Sequence, residues 1–224
     1  MSKNVEEKRD DQPRRIKVRI ESLSDLVFGL ALSIGSLEFL SSPARDPLGL
    51  ARNLAFFGFS FFILVFTWLG YSRTMAVVQV ETEVSLYLNL FLLFLTAIEP
   101  YLFYVLVTSP SNSDADVASV FYALNVGGLF LVQAALSRLV ILQDRKNILD
   151  PMIIGRFKRV TRAEIVIGLF FIVSTLPIFW GIETPIGQVR FIFWWSSFAT
   201  FFVVRGKRRM EVEKKEGIDL PDTK

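Results

Sequence analysis

The stretch Arg19–Ser41, RIESLSDLVFGLALSIGSLEFLS, decides how the rest of the chain is read. It opens on charged and polar residues. It then runs apolar from Leu26 to Leu37, with Gly29, Ala31, Ser33, Gly35 and Ser36 interspersed. At about 100° per residue, Leu30, Ile34, Leu37 and Ser41 fall on one narrow helix face. Ser33 lies beside that face, and Asp25 points roughly the opposite way. A plain membrane anchor has no use for an acid near its start, because an unpaired carboxylate in lipid is costly.

Further apolar runs follow. The chain has 224 residues, of which 52% are hydrophobic, with 22 Phe. Several runs exceed the roughly 18 residues needed to cross a bilayer as a helix. Six segments are expected: 19–41, 50–73, 84–107, 117–142, 163–181 and 189–204. Pro100 should kink the third. Asp114 or Asp116 is a candidate cap for the fourth, and Gly127-Gly128 allows close packing or bending within it. The stretch 143–162 reads as a long polar connection, and residues around Glu183–Gly187 as a short turn. The fold class is therefore all-α, a polytopic membrane protein with six transmembrane helices per subunit. Residues 1–18 form a charged tail expected to be flexible, 19–206 the membrane domain, and 207–224 a second charged tail. The first apolar run is too long for a signal-peptide core and no convincing cleavage site follows, so it is read as retained.

Charge sets the orientation. Of the 25 Lys and Arg, 21 fall in the N-terminal tail, the 2–3 turn, the 4–5 connection and the C-terminal tail. Six crossings place all four on one side. By the positive-inside rule that side is cytoplasmic, and so are both termini. The default location is the cell membrane. The basic clusters accompany no nucleic-acid motif, and topogenic charge accounts for them.

Several chemistries are excluded. The chain has no Cys and no His. Disulfides, thiolate or imidazole metal sites and His-based triads are therefore absent. No phosphate-binding Gly loop, nucleophile elbow or TVGYG-type carbonyl filter occurs. The chain is not read as an enzyme, and no cofactor is called for.

The signature Arg19-x-x-x-Leu23-Ser24-Asp25 resembles the Arg-x-x-x-Phe-Ser-Asp motif that opens the first helix in the transmembrane protein 175 family, with Leu in place of Phe. That family comprises lysosomal potassium channels and their prokaryotic relatives. The resemblance implies a potassium-preferring cation channel in which helix 1 of each subunit lines a shared axis. Six helices per chain imply a homotetramer. The resemblance places the pore constriction at Leu30, Ile34 and Leu37, with Ser33 just behind the first ring. It also implies that Arg19, Ser24 and Asp25 pin helix 1 to its neighbours, with Trp68, Tyr71 and Asn89 as candidate partners. The family commonly has a His after the helix 2 Trp; here Tyr71 follows Trp68 at three residues.

Bland readings stand beside these. A Leu/Ile triple occurs on any membrane helix as packing. Glu38 is either an acidic ring at the outer mouth, with Ser41 near it, or an interfacial acid in water. Glu99 either takes part in conduction, faces a wet vestibule or pairs with Arg52. A non-conducting membrane scaffold or transporter subunit of the same fold is the alternative function. Expected partners are further copies of the chain, the lipid bilayer and monovalent cations, with potassium as the permeant ion.

Overall fold

In the computed structural model, residues 3–41, 47–78, 82–109, 111–144, 149–179, 183–184, 187–188, 190 and 192–196 are described; within these, the side chains of 3–16, 38–41, 52, 112, 183–184 and 187–188 are not. The architecture is helical. Five long helices follow in order: α1 Lys3–Ser41, α2 Pro47–Met75, α3 Glu83–Thr108, α4 Asn112–Gln143 and α5 Pro151–Val173. Four of the described helices are long and apolar enough to cross a membrane, over Lys17–Leu37, Pro47–Met75, Glu83–Thr108 and Ser113–Gln143. All-helical spans are what lipid demands, because each backbone polar group must find its partner within its own segment.

Caps mark the boundaries. Pro47 opens α2, where a missing N–H costs nothing. Thr82 caps α3 by accepting from Ser85 N. Ser111 caps α4 by accepting from Asp114 N, so the cap lies three residues before the expected Asp114. Asp150 accepts from Met152 N and Pro151 occupies the first turn of α5. This cap starts α5 twelve residues before the expected 163. The supposed polar connection is therefore mostly helix, and Arg156, Lys158, Arg159 and Arg162 ride exposed on its first turns. Long basic side chains are good helix formers, so nothing local stops the helix at the membrane boundary. Likewise α1 is helical from Lys3, through the residues expected to form a loose tail.

Within residues 1–177 the helices pack around α4, which meets α2, α3 and α5. Glycines set how closely. A Cβ on Gly127 would lie 2.9 Å from the Gly168 carbonyl oxygen, and one on Gly168 3.0 Å from that of Gly127. Only Gly at both positions lets α4 and α5 cross this tightly. Gly128 turns toward Leu95 of α3 instead, with its Cβ position 3.2 Å from Leu95 Cδ1. Pro100 sits inside α3 and withholds a donor from the preceding turn. A buried carboxylate fastens the same region. Glu99 accepts from Ser60 Oγ of α2 at 2.8 Å and from Tyr122 Oη of α4 at 2.9 Å. Its side chain is buried among the described helices; the side chain of Arg52, its other candidate partner, lies outside the described residues.

Residues 178–224 form a separate unit. Within it, Glu183–Thr184 and Gly187–Gln188 pair antiparallel as two-residue strands at the expected turn. Residues 190 and 192–196 are helical, and the Phe179 and Phe193 rings meet at 4.9 Å between centroids. The remainder of the expected sixth segment and the C-terminal tail lie outside the described residues.

Candidate pore-lining helix

Helix α1 presents two faces of different character. Its packed face carries Ser24, Phe28, Ala31 and Gly35, all buried. Spaced four, three and four apart, they fall on one side of α1, which contacts α2 and α3. Phe28 stacks at 5.8 Å on Tyr71 of α2. The other face lies about 130° around the helix. There Leu30 is 61% exposed, Ile34 38% and Leu37 59%. The stripe expected from the sequence therefore faces away from the subunit's own core.

The structure extends this stripe. Leu23 and Leu26 are exposed on the same face. Together with Leu30, Ser33 or Ile34, and Leu37 they make a three-four spaced seam of the kind that packs helices side by side. That spacing was present in the sequence and is the signal that would have found the two additional leucines. Ser33 is exposed beside Leu30, and its hydroxyl donates to the Gly29 carbonyl at 2.8 Å. Glu38 and Ser41 lie on the last turn of α1, and their side chains are outside the described residues.

The signature residues sit where the apolar span Lys17–Leu37 of α1 begins, and two of them reach α2. Ser24 Oγ donates to the Ile20 carbonyl at 2.8 Å, which uses its one proton. The 2.6 Å contact between Ser24 Oγ and Tyr71 Oη is then a hydrogen bond donated by the tyrosine. It is buried between α1 and α2. Trp68 Nε1 donates to Asp25 Oδ1 at 2.9 Å. Trp68 and Tyr71, three residues apart on α2, thus engage adjacent residues of α1. Asn89 of α3 is buried but takes no part: its Oδ1 has no hydrogen-bond partner. Arg19 is exposed near the beginning of the apolar span of α1.

Hydroxyl, phenol, indole and carboxylate thus hold α1 on one side, while Leu23, Leu26, Leu30, Ile34 and Leu37 stay exposed on another. Comparison with known proteins shows what the chain is similar to. Residues 19–100 match the family model of the endosomal/lysosomal potassium channel TMEM175. The matched segment starts at the first residue of the signature and ends within α3, so the resemblance read from Arg19, Ser24 and Asp25 falls inside it. Among solved structures, the crystal structure of a lysosomal potassium-selective channel TMEM175 homolog from Chamaesiphon minutus is similar in fold. It has a TM-score of 0.55 and 22% identity, covering 72% of this chain and 89% of that one. No curated protein matches the chain. The fold is thus that of a TMEM175 homolog, and the stretch that carries the family match contains both the signature contacts and the exposed stripe.

Proposed function

We propose that four copies of this chain assemble in the cell membrane around a common axis, with α1 of each copy innermost, as a potassium-preferring cation channel. The observation that carries the reading is the exposed Leu30–Ile34–Leu37 stripe, on the face of α1 turned away from the contacts Ser24 and Asp25 make with α2. Symmetry copies of the stripe form stacked apolar rings. Such rings offer no ligand to an ion and hold little water, so they gate by dewetting. Potassium sheds its hydration shell at lower cost than sodium and passes the dry constriction more readily. Ser33 supports the helix behind the first ring. Glu38 and Ser41 stand at the outer mouth, where a ring of acids would concentrate cations. Each subunit crosses the membrane six times with both termini cytoplasmic, as the distribution of Lys and Arg supports. The cycle needs no cofactor beyond the permeant ion.

The chain has no Cys, which makes a direct test available. Leu30→Cys should give oxidative cross-links between copies, and wild-type protein in liposomes should pass potassium down a gradient. An intact oligomer that neither cross-links at position 30 nor passes potassium would remove this reading. It would favour a non-conducting scaffold.

A further inference from the structure

The first turns of α5, where the sequence reads as a polar connection, gather cations on one face. Arg156, Lys158, Arg159 and Arg162 are all exposed. Residues 151–163 contain no Asp or Glu, and Glu164, the next acid, is buried. Measured from Arg162 at about 100° per residue, Lys158 lies at about −40°, Arg159 at about 60° and Arg156 at about 120°. The buried residues Phe157, Thr161, Glu164, Gly168 and Phe171 fall between about 180° and 260°, on the opposite side. The cations therefore point away from α4, the helix that α5 packs against. Farther along α5 the exposed apolar residues Val166, Leu169 and Val173 return to within about 40° of Arg162. One face of α5 thus changes from basic to apolar within a single turn.

Such a change fits the boundary of a bilayer. Val166, Leu169 and Val173 suit acyl chains, and the six crossings proposed above put this end of α5 on the cytoplasmic side. Lys158 to Arg162 spans about 6 Å along the helix axis. One headgroup layer is roughly 5–7 Å deep, so all three cations fit within it. Arg138 on α4 is exposed too, and the hydrogen bond between Ser137, its neighbour, and Glu164 brings it near the level of Arg162. Topogenic charge needs only the right side of the membrane, and a loose loop would supply it. A helix does more, because it holds the cations in fixed register at the depth of the phosphates. Two of the three are Arg, whose forked guanidinium donates two parallel hydrogen bonds to one phosphate.

We propose that this face of α5 binds the headgroup phosphate of an anionic phospholipid in the cytoplasmic leaflet. Lys158, Arg159 and Arg162 hold the headgroup, Arg156 stands just outside it, and Val166, Leu169 and Val173 lie along the acyl chains. Continuity favours a lipid over an acidic protein or a free anion. The basic patch runs directly into the apolar stripe, and a phospholipid is charged at one end and apolar at the other over that same distance. The leaflet rests on the topology proposed above; the headgroup contact does not.

The test uses full-length protein with Gly155→Cys, the chain having no cysteine of its own. Gly155 lies on the same face about 10 Å from Arg162. A Cβ there meets nothing within 4 Å, so the position accepts a fluorescent donor. In detergent, phosphatidylglycerol with an acceptor dye on its acyl chain should give saturable energy transfer, at lower concentration than phosphatidylcholine with the same dye. Each basic residue near an anionic headgroup is worth a factor of about five, so Arg159→Gln/Arg162→Gln should weaken phosphatidylglycerol binding by about 25-fold. Arg159→Lys/Arg162→Lys should keep most of the preference. Lys207→Gln/Arg208→Gln, which removes the same charge from the C-terminal tail, should leave it unchanged. Equal affinity for the two lipids, or a preference that survives Arg159→Gln/Arg162→Gln, would overturn the proposal. Displacement of the lipid by inorganic phosphate, but not by chloride at equal ionic strength, would also overturn it, by making the face a site for free anions. Labelling of the Gly155→Cys thiol by an impermeant maleimide from outside intact cells would overturn the topology and the leaflet, a result separable from the lipid titrations in detergent.

Discussion

Replacing Tyr71 with Phe tests how α1 is held. The substitution removes one hydroxyl and keeps the ring, so the 5.8 Å packing against Phe28 remains. What is lost is the 2.6 Å hydrogen bond from Tyr71 Oη to Ser24 Oγ. Ser24 keeps its own proton on the Ile20 carbonyl, so no donor is orphaned and one acceptor site goes unfilled. That places the cost near the ordinary net value of a hydrogen bond, about 1 kcal/mol, below the larger penalty for a stranded donor. For a chain of this length the melting temperature should fall by about 2–4 °C. Ser24→Ala should cost more, about 1–3 kcal/mol, because it strands the buried Tyr71 hydroxyl as a donor. The double variant should lose no more than Ser24→Ala alone, giving a coupling energy of at least about 1 kcal/mol in a double-mutant cycle. The assay is the loss of the oligomer peak on size-exclusion chromatography after heating in detergent. Reversal potentials in bilayers with potassium facing sodium should not change, because this contact lies on the face of α1 away from the stripe. Strict additivity of the two substitutions would refute the assigned hydrogen bond. Altered selectivity at unchanged stability would place Tyr71 in the ion path and refute the two-faced reading of α1.

Other substitutions separate the same faces. Leu30→Asn should raise ion flux and weaken the preference for potassium over sodium in bilayer recordings, with Ile34→Asn and Leu37→Asn weaker in effect; Leu32→Asn, half-buried on another face, should instead lower the yield of assembled protein. Asp25→Ala deprives Trp68 Nε1 of its acceptor and should reduce expression and the oligomer peak more than it changes selectivity. Glu38→Gln should lower cation conductance at low salt and matter little at high salt, since screening shortens the reach of a surface charge; equal loss at both would count against an acidic mouth.

What the sequence disclosed follows from what lipid penalises. The apolar runs announced helices because no other single-segment structure satisfies its backbone in a bilayer. The Leu30–Ile34–Leu37 stripe was legible because helical geometry alone places those residues together. The start of α5 lies earlier than expected because Asp150-Pro151 falls within 143–162, a stretch whose polarity reads as a connection. The same pair is also a cap followed by a first-turn proline, and the basic residues behind it look like a cytoplasmic loop whether helical or not. The polar contacts were harder to see. Glu99 meets Ser60 across 39 residues and Tyr122 across 23, and Thr74 meets Ser137 across 63. No period in a sequence encodes such pairs. Asn89 shows the converse, since the family resemblance offered it as a partner of the signature, yet its Oδ1 finds no partner.

The orientation of α1 also has a cause that differs from the one operating in water. Lipid tails are as apolar as leucine, so no hydrophobic force drives the stripe to an axis. Leu26, Leu30 and Leu37 would be equally at ease facing acyl chains. What fixes their direction is the opposite face. Ser24 and Asp25 must meet Tyr71 and Trp68, and Phe28 and Ala31 are buried on the neighbouring side, with Phe28 against Tyr71. Once that face is committed, the helix has no rotational freedom left, and the leucines point outward from the subunit by exclusion. The polar signature therefore aims the apolar one. In the channel proposed above, the stretch lining the ion path would for this reason carry its polar groups away from the ion.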